Sequence, residues 1–402
     1  MLSSIVRALP RLNISGSYLT VQSARTFFTP AHFGIDSFKN YASNIERDQG
    51  KNASSLKVTI EEAVSKPDGK IFTEDLKTLL YLSKSDSDLD LLVNAIRKYQ
   101  KQESTAIFGF NFETPLIRLL YSLNKTDRAL ALFLDENDSV LKRFYTAGTI
   151  LMNKLLEEKR YEDSIKVVNK MINKFKQDKK SDPNSRLRTM DITNLATEAL
   201  LGINNADALS HAKKMLIDFK ELNLEIHDNA YIKLILLAHN QNQIDFAYEL
   251  TSLIKNKNQN IINNLKFLSL IRLDRIDDAI QIAEDTNKIV LERGIENRLF
   301  FKETLAVLVD LAGKLEGEKK DRVQDLVTTI KQEKKLIDLS LNDYALRLRE
   351  DRKQNQQNQQ RQQGQPMDRQ RQQNQRDQQR QQGQQSRQRQ NRTQREENSR
   401  ED

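Results

Sequence analysis

An all-α, helical-hairpin solenoid with a disordered C-terminal tail is the fold class that this sequence predicts, on three observations. Between about Ile71 and Leu348 the apolar residues recur with a period close to 3.6, and few stretches alternate with period 2 for long enough to make a sheet. A local pattern of an acid, a small residue and a run of aliphatics returns along the chain. It reads Thr126-Asp127-Arg128-Ala129-Leu130, Tyr161-Glu162-Asp163-Ser164-Ile165, Ala206-Asp207-Ala208-Leu209, Ile244-Asp245-Phe246-Ala247-Tyr248 and Ile276-Asp277-Asp278-Ala279-Ile280. The small residue falls at 129, 164, 208, 247 and 279, in steps of 35, 44, 39 and 32 residues, which are spacings of helical-hairpin repeats. Finally, residues 351–402 hold 21 Gln and a single apolar side chain, Met367, so they cannot bury a core.

Taken in order, residues 28–69 give no clear element. Phe72–Leu82 and Asp88–Tyr99 form a first helix pair, broken at Ser83-Lys84-Ser85. Phe112–Leu123 with Asp127–Leu134, and Tyr145–Leu156 with Tyr161–Phe175, form a second and a third. Thr193–Leu201 and Ala206–Leu222 form a fourth, with Gly202 as the helix stop. Asn229–His239 with Ile244–Ile254, and Ile261–Leu273 with Ile276–Val290, complete a repeat array over residues 70–292. Connections this short make each pair an antiparallel hairpin. The small residue sits early in each second helix, where it lets the first helix approach closely. Asn297–Leu315, Arg322–Ile330 and Lys335–Leu348 depart from the pattern and read as a helical cap over residues 293–350.

Composition narrows the function. The chain has 402 residues, no Cys and no Trp, so disulfides and thiolate metal sites are excluded. His32, His211, His227 and His239 are scattered with no i, i+4 pairing, so no metal site and no cofactor are expected. No Gly-rich phosphate loop or nucleophile elbow occurs, and no catalytic residue is assigned. No apolar run approaches the roughly 18 residues that span a bilayer. The net charge of +8 comes from the ends: residues 1–25 carry +3 and residues 351–402 carry +5, which leaves the body neutral. Residues 1–27 hold Arg7, Arg11 and Arg25, five serines and no acid, with short interrupted apolar runs. That composition predicts a mitochondrial transit peptide with processing near Arg25-Thr26-Phe27-Phe28.

Leu151-Met152-x-x-Leu155 leads into Lys159-Arg160-Tyr161-Glu162-Asp163-Ser164-Ile165-x-Val167-Val168-x-x-Met171. This resembles a pentatricopeptide repeat, with Lys159 where the family usually has Gly. Leu76-Lys77-Thr78-Leu79-Leu80, Pro115-Leu116-Ile117-Arg118-Leu119-Leu120-Tyr121, Asn240-Gln241-Asn242-Gln243 and Arg349-Glu350-Asp351-Arg352-Lys353 extend the resemblance over roughly residues 70–353. The resemblance implies a right-handed solenoid in the mitochondrial matrix that binds single-stranded RNA, acts in its maturation and supports the respiratory chain.

In that family one residue near the start of each inner helix selects a base. Counting back 15 residues from each small residue gives Thr114, Thr149, Thr193, Ile232 and Asn264. By the resemblance, Thr114, Thr149, Thr193 and Asn264 are candidates to hydrogen-bond base edges. The alternative is that Thr and Asn cap helix starts. Lys166, Lys170, Lys174, Lys176, Lys179, Lys180, Arg186 and Arg188 form the densest basic run. Lys170, Lys174 and Lys176 are candidates for a phosphate track on the second helix, against the alternative of a solvated face. A solenoid is usually a binding surface, so the competing expectation is a protein-interaction scaffold attached to the mitochondrial ribosome or an assembly complex.

Overall fold

The computed structural model describes residues 30–102, 110–135, 140–141, 144–181, 189–255, 260–289 and 299–347. The leader assigned to residues 1–27 and the tail from residue 351 lie outside them. Helices α1 (Ile35–Gln49) and α2 (Ala53–Ser65) come first. Hairpins follow: α3 (Thr73–Leu82) with α4 (Asp86–Gln102), α5 (Glu113–Ser122) with α6 (Thr126–Leu134), and α7 (Phe144–Glu157) with α8 (Tyr161–Ser181). Next are α9 (Thr189–Ile203) with α10 (Ala206–Glu221), α11 (Asp228–Asn240) with α12 (Ile244–Ser252), and α13 (Asn260–Arg272) with α14 (Ile276–Asn287). The chain closes with β1 (Phe300–Phe301), α15 (Lys302–Lys314), α16 (Gly317–Gln332), β2 (Leu336–Ile337) and α17 (Leu341–Arg347).

The hairpins share one turn. The residue five before the repeated small side chain is left-handed: Asn124 (φ 55°), Lys159 (φ 57°), Asn242 (φ 58°) and Asp274 (φ 59°). The next backbone N–H reaches back to close the helix, from Lys125 to Leu120 O at 2.9 Å and from Arg160 to Leu155 O at 2.8 Å. Gln243 to Ala238 O and Arg275 to Leu270 O, both 2.9 Å, repeat it. This six-to-one bond is the Schellman arrangement. The fourth hairpin differs: Asn204 (φ 50°) turns the chain, and Asn205 caps α10 by accepting from Ala208 N at 2.8 Å. Gly202 is therefore not the stop. It lies inside α9, where a Cβ would come within 2.7 Å of the Tyr161 ring. Its missing side chain lets α9 close on the start of α8.

Ala129, Ser164, Ala208, Ala247 and Ala279 are all buried. The first helices α3, α5, α7, α9, α11, α13 and α15 pack in succession as one row. In two of the repeats the acid of the pattern pairs with a cation of the next hairpin. Asp127 meets Arg160 at 2.6 Å and Asp277 meets Lys319 at 2.6 Å. Lys125 reaches Asp86 at 2.7 Å in the same way. Exposed pairs of this kind contribute little to stability.

Three features depart from the sequence reading. Residues 35–65 are helical although the pattern gave no element there. Helix α1 buries only Ile35 and Phe38, three apart, too narrow a stripe to register as periodic. Helices α15 and α16 pack as a further hairpin on α13 and α14 although they lack the repeated pattern. Finally, β1 and β2 pair in parallel, Phe300 with Leu336 and Phe301 with Ile337, two residues of sheet in a helical array.

Candidate nucleic-acid interface

The row of first helices carries four of the predicted contact residues. Thr114 opens α5 and is half-buried. Thr149 on α7 is buried, and its hydroxyl donates to Thr146 O at 2.8 Å. Thr193 on α9 and Ile232 on α11 are both fully buried. Asn264 on α13 is buried and engaged on both sides of its amide. Its Nδ2 donates to Asn260 O at 2.7 Å and Leu299 O at 2.9 Å, and its Oδ1 accepts from Phe301 N at 3.2 Å. Asn264 thus anchors the chain entering β1, and Thr114 has the most open position of the four.

Other segments of the chain pack on the same row. Helix α1 packs across α3 and α5, both first helices. The turn Pro30–Phe33 extends this strap to α9, where His32 Nε2 lies 3.6 Å from Asp191 Oδ2. From the other end α17 folds back onto α11, with Leu341 and Ala345 buried and the Tyr344 ring 5.0 Å from that of Phe301. Segments from both ends of the described chain thus pack on first helices, α1 on α3 and α5, and α17 on α11.

Buried polar groups link first helices at three places, between α5 and α7, α9 and α11, and α11 and α13, unannounced by the repeat pattern. Tyr121 on α5 donates its hydroxyl to Glu157 on α7, and Asn153 Nδ2 donates to the same carboxylate at 3.1 Å. Burial raises both the Glu157 carboxyl and the Tyr121 hydroxyl above their ordinary ranges. Asn153 is fully buried, and its Oδ1 makes no hydrogen bond among the described residues. Between α9 and α11, Lys233 Nζ donates to Glu198 Oε2 at 3.0 Å and to Asn194 O at 3.1 Å. One pair further, His239 Nε2 lies 2.8 Å from Ser269 Oγ, while Arg272 donates to His239 O at 3.0 Å. The one signal available in sequence was a lysine inside the apolar run Tyr231-Ile232-Lys233-Leu234-Ile235.

The basic run on α8 is largely paired. Lys170 donates to Asp135 O at 2.9 Å, Lys174 pairs with Asp178 at 3.4 Å and Lys176 with Asp218 at 2.6 Å. Lys166 pairs with Asp163 at 2.7 Å. The side chains of Lys179, Lys180, Arg186 and Arg188 lie outside the described residues. Among the described residues no group of three or more His, Asp or Glu side chains is placed to hold a metal. No helix there is long and apolar enough to cross a membrane.

Fold and face together define a helical-hairpin repeat protein with a continuous row of first helices. The chain is similar to pentatricopeptide repeat-containing protein 2, mitochondrial, of Mus musculus, with 28% identity over 244 residues, 59% of this chain and 60% of that protein. The protein of the same name from Xenopus laevis is 26% identical over 246 residues, again 59% and 60%. That from Danio rerio is 25% identical over 280 residues, 68% and 69%. The chain thus spans about 60% of the length of the first two relatives. No protein-family model matches it, and no solved structure does.

Proposed function

We propose that this chain is a mitochondrial RNA-binding repeat protein of the matrix, acting in RNA maturation and through it on the respiratory chain. The observation that carries the reading is the coincidence of two facts. The chain is similar over 59% of its length to proteins named mitochondrial pentatricopeptide repeat-containing protein 2, and its first helices form the unbroken row that one-base-per-repeat reading requires. Thr114 and Thr149 stand at the base-selecting register, and single-stranded RNA is the ligand. Thr149, Thr193, Asn264, Lys170, Lys174 and Lys176 would have to leave their present burial or partners to take part.

Crosslinking the tagged protein to RNA in mitochondria, followed by sequencing, tests the reading directly. Enrichment of a defined set of transcripts supports it. Recovery no greater than for a neutral matrix protein refutes it. The pairing of the lysines and the neutral body favour a second reading, a protein-interaction solenoid on the mitochondrial ribosome or an assembly complex. Co-purification of one stoichiometric protein complex without RNA would select that reading.

A further inference from the structure

The strap Pro30–Gln49 rests on the face that the proposed ligand needs, and it is held lightly. Its buried side chains are Phe33, Ile35 and Phe38, and most of the rest of α1 is exposed. A segment with so few buried apolar contacts opens at low cost. Its latch is Arg118 on α5, which donates through Nε to Phe33 O at 2.8 Å. The Arg118 guanidinium also lies against Gly34, where a Cβ would be 3.1 Å from its Nη2. Gly34 has φ 70°, a conformation that glycine adopts freely.

Arg118 is half-buried, and no described carboxylate pairs with it. A guanidinium left without a counter-charge is a ready partner for phosphate. Next to it stands Tyr81, whose ring is covered by the strap's own rings, Phe38 at 5.2 Å and Tyr41 at 4.7 Å. The Tyr41 ring meets Tyr81 edge to face and the Phe38 ring is tilted against it, so both hold the ring without stacking flat on it. An aromatic face beside a guanidinium is what single-stranded RNA seeks in a protein surface. The strap's rings occupy the place where bases would stack.

We propose that the strap is an exchangeable occupant of the first-helix face: single-stranded RNA displaces Pro30–Gln49, stacks on Tyr81 and takes Arg118 for a phosphate. The proposal rests on the RNA-binding reading above. It makes the strap an autoinhibitory element, because the free energy of its release is subtracted from RNA affinity. Any factor that holds the strap aside raises affinity without touching the RNA.

The chain has no cysteine, which makes a lock simple to build. In the full-length protein, His32→Cys with Asp191→Cys places two thiols where the strap meets α9. A short bismaleimide ties them, and the unlinked double variant is the control. The probe is a labelled mixed-sequence single-stranded RNA, titrated by fluorescence anisotropy. The linked form is expected to bind about tenfold more weakly than the unlinked form. Equal affinity overturns the proposal while leaving RNA binding intact. Binding by neither form means that the RNA reading itself has failed, and the proposal with it. In a separate variant, Arg118→Gln should speed amide exchange in α1 yet weaken RNA binding. Faster exchange with unchanged or tighter binding overturns the role of Arg118 at phosphate.

Discussion

Lys233 is fully buried on α11, and its ammonium lies 3.0 Å from the carboxylate of Glu198 on the neighbouring first helix. Asn194 O, at 3.1 Å, takes a second hydrogen of the same ammonium. Removing one partner of such a pair strands a charge away from water, at about 3–5 kcal/mol, whereas replacing both with apolar groups is often close to neutral. Glu198→Gln is therefore expected to lower stability by about that amount. Adding Lys233→Met should recover most of it. Urea denaturation of the two single variants and the double variant, read as a cycle, checks this; additive losses would contradict it.

Lys159 pays a steric cost for its left-handed backbone in the turn between α7 and α8. Lys159→Gly should raise stability by about 1 kcal/mol, because glycine adopts that conformation without the Cβ contact. Lys159→Val should lower it. Thermal melts of both variants, compared with the wild type, separate this steric account from any effect of the lysine charge, which both remove.

At Gly202 the outcome runs the other way. A methyl there would meet the Tyr161 ring at 2.7 Å, so Gly202→Ala should destabilise by about 1–3 kcal/mol as the ring is forced aside. In a Tyr161→Leu background the same substitution should cost much less. An equal cost in both backgrounds would show that helix propensity or the chain turn, not the ring, sets the requirement for glycine.

Burial first, and the Arg272 guanidinium second, hold the His239 imidazole neutral and push its pKa down to about 3. The unfolded chain binds the proton near 6.5, so between those values the unfolded state holds more protons than the folded one. Stability from this group is fully present above pH 6.5 and is lost as pH falls towards 3. The slope approaches about 1.4 kcal/mol per pH unit. His239→Gln should remove that slope between pH 4 and 6 when unfolding free energies are compared at several pH values. A variant with the wild-type slope would move the acid sensitivity to other groups.

The hairpins were legible in the sequence from particular residues. Ala129, Ser164, Ala208, Ala247 and Ala279 marked each helix contact because close approach depends on one side chain at one register. The left-handed turns at Asn124, Asn242 and Asp274 came to light only in the structure, although Asn and Asp are among the few residue types that accept that backbone. Gly202 was misread for the same local reason: a glycine near a helix end looks like a stop, and only the position of Tyr161 reveals a packing role.

What the sequence by itself determined is therefore the local part: all-helical class, the hairpin pairs and the register of their contacts, each encoded within a few residues by periodicity and turn chemistry. What only the tertiary structure decided is who faces the first-helix row. Arg118 meets Phe33 across 85 residues of chain, Tyr121 meets Glu157 across 36, and α17 returns to α11 from beyond two further hairpins. Such contacts depend on how far each hairpin is rotated and displaced against the last. That geometry is the sum of many packing interactions and leaves no periodic trace in any one segment. It places Thr193 and Asn264 in the interior and the strap over Arg118, where residue type alone had suggested an open groove.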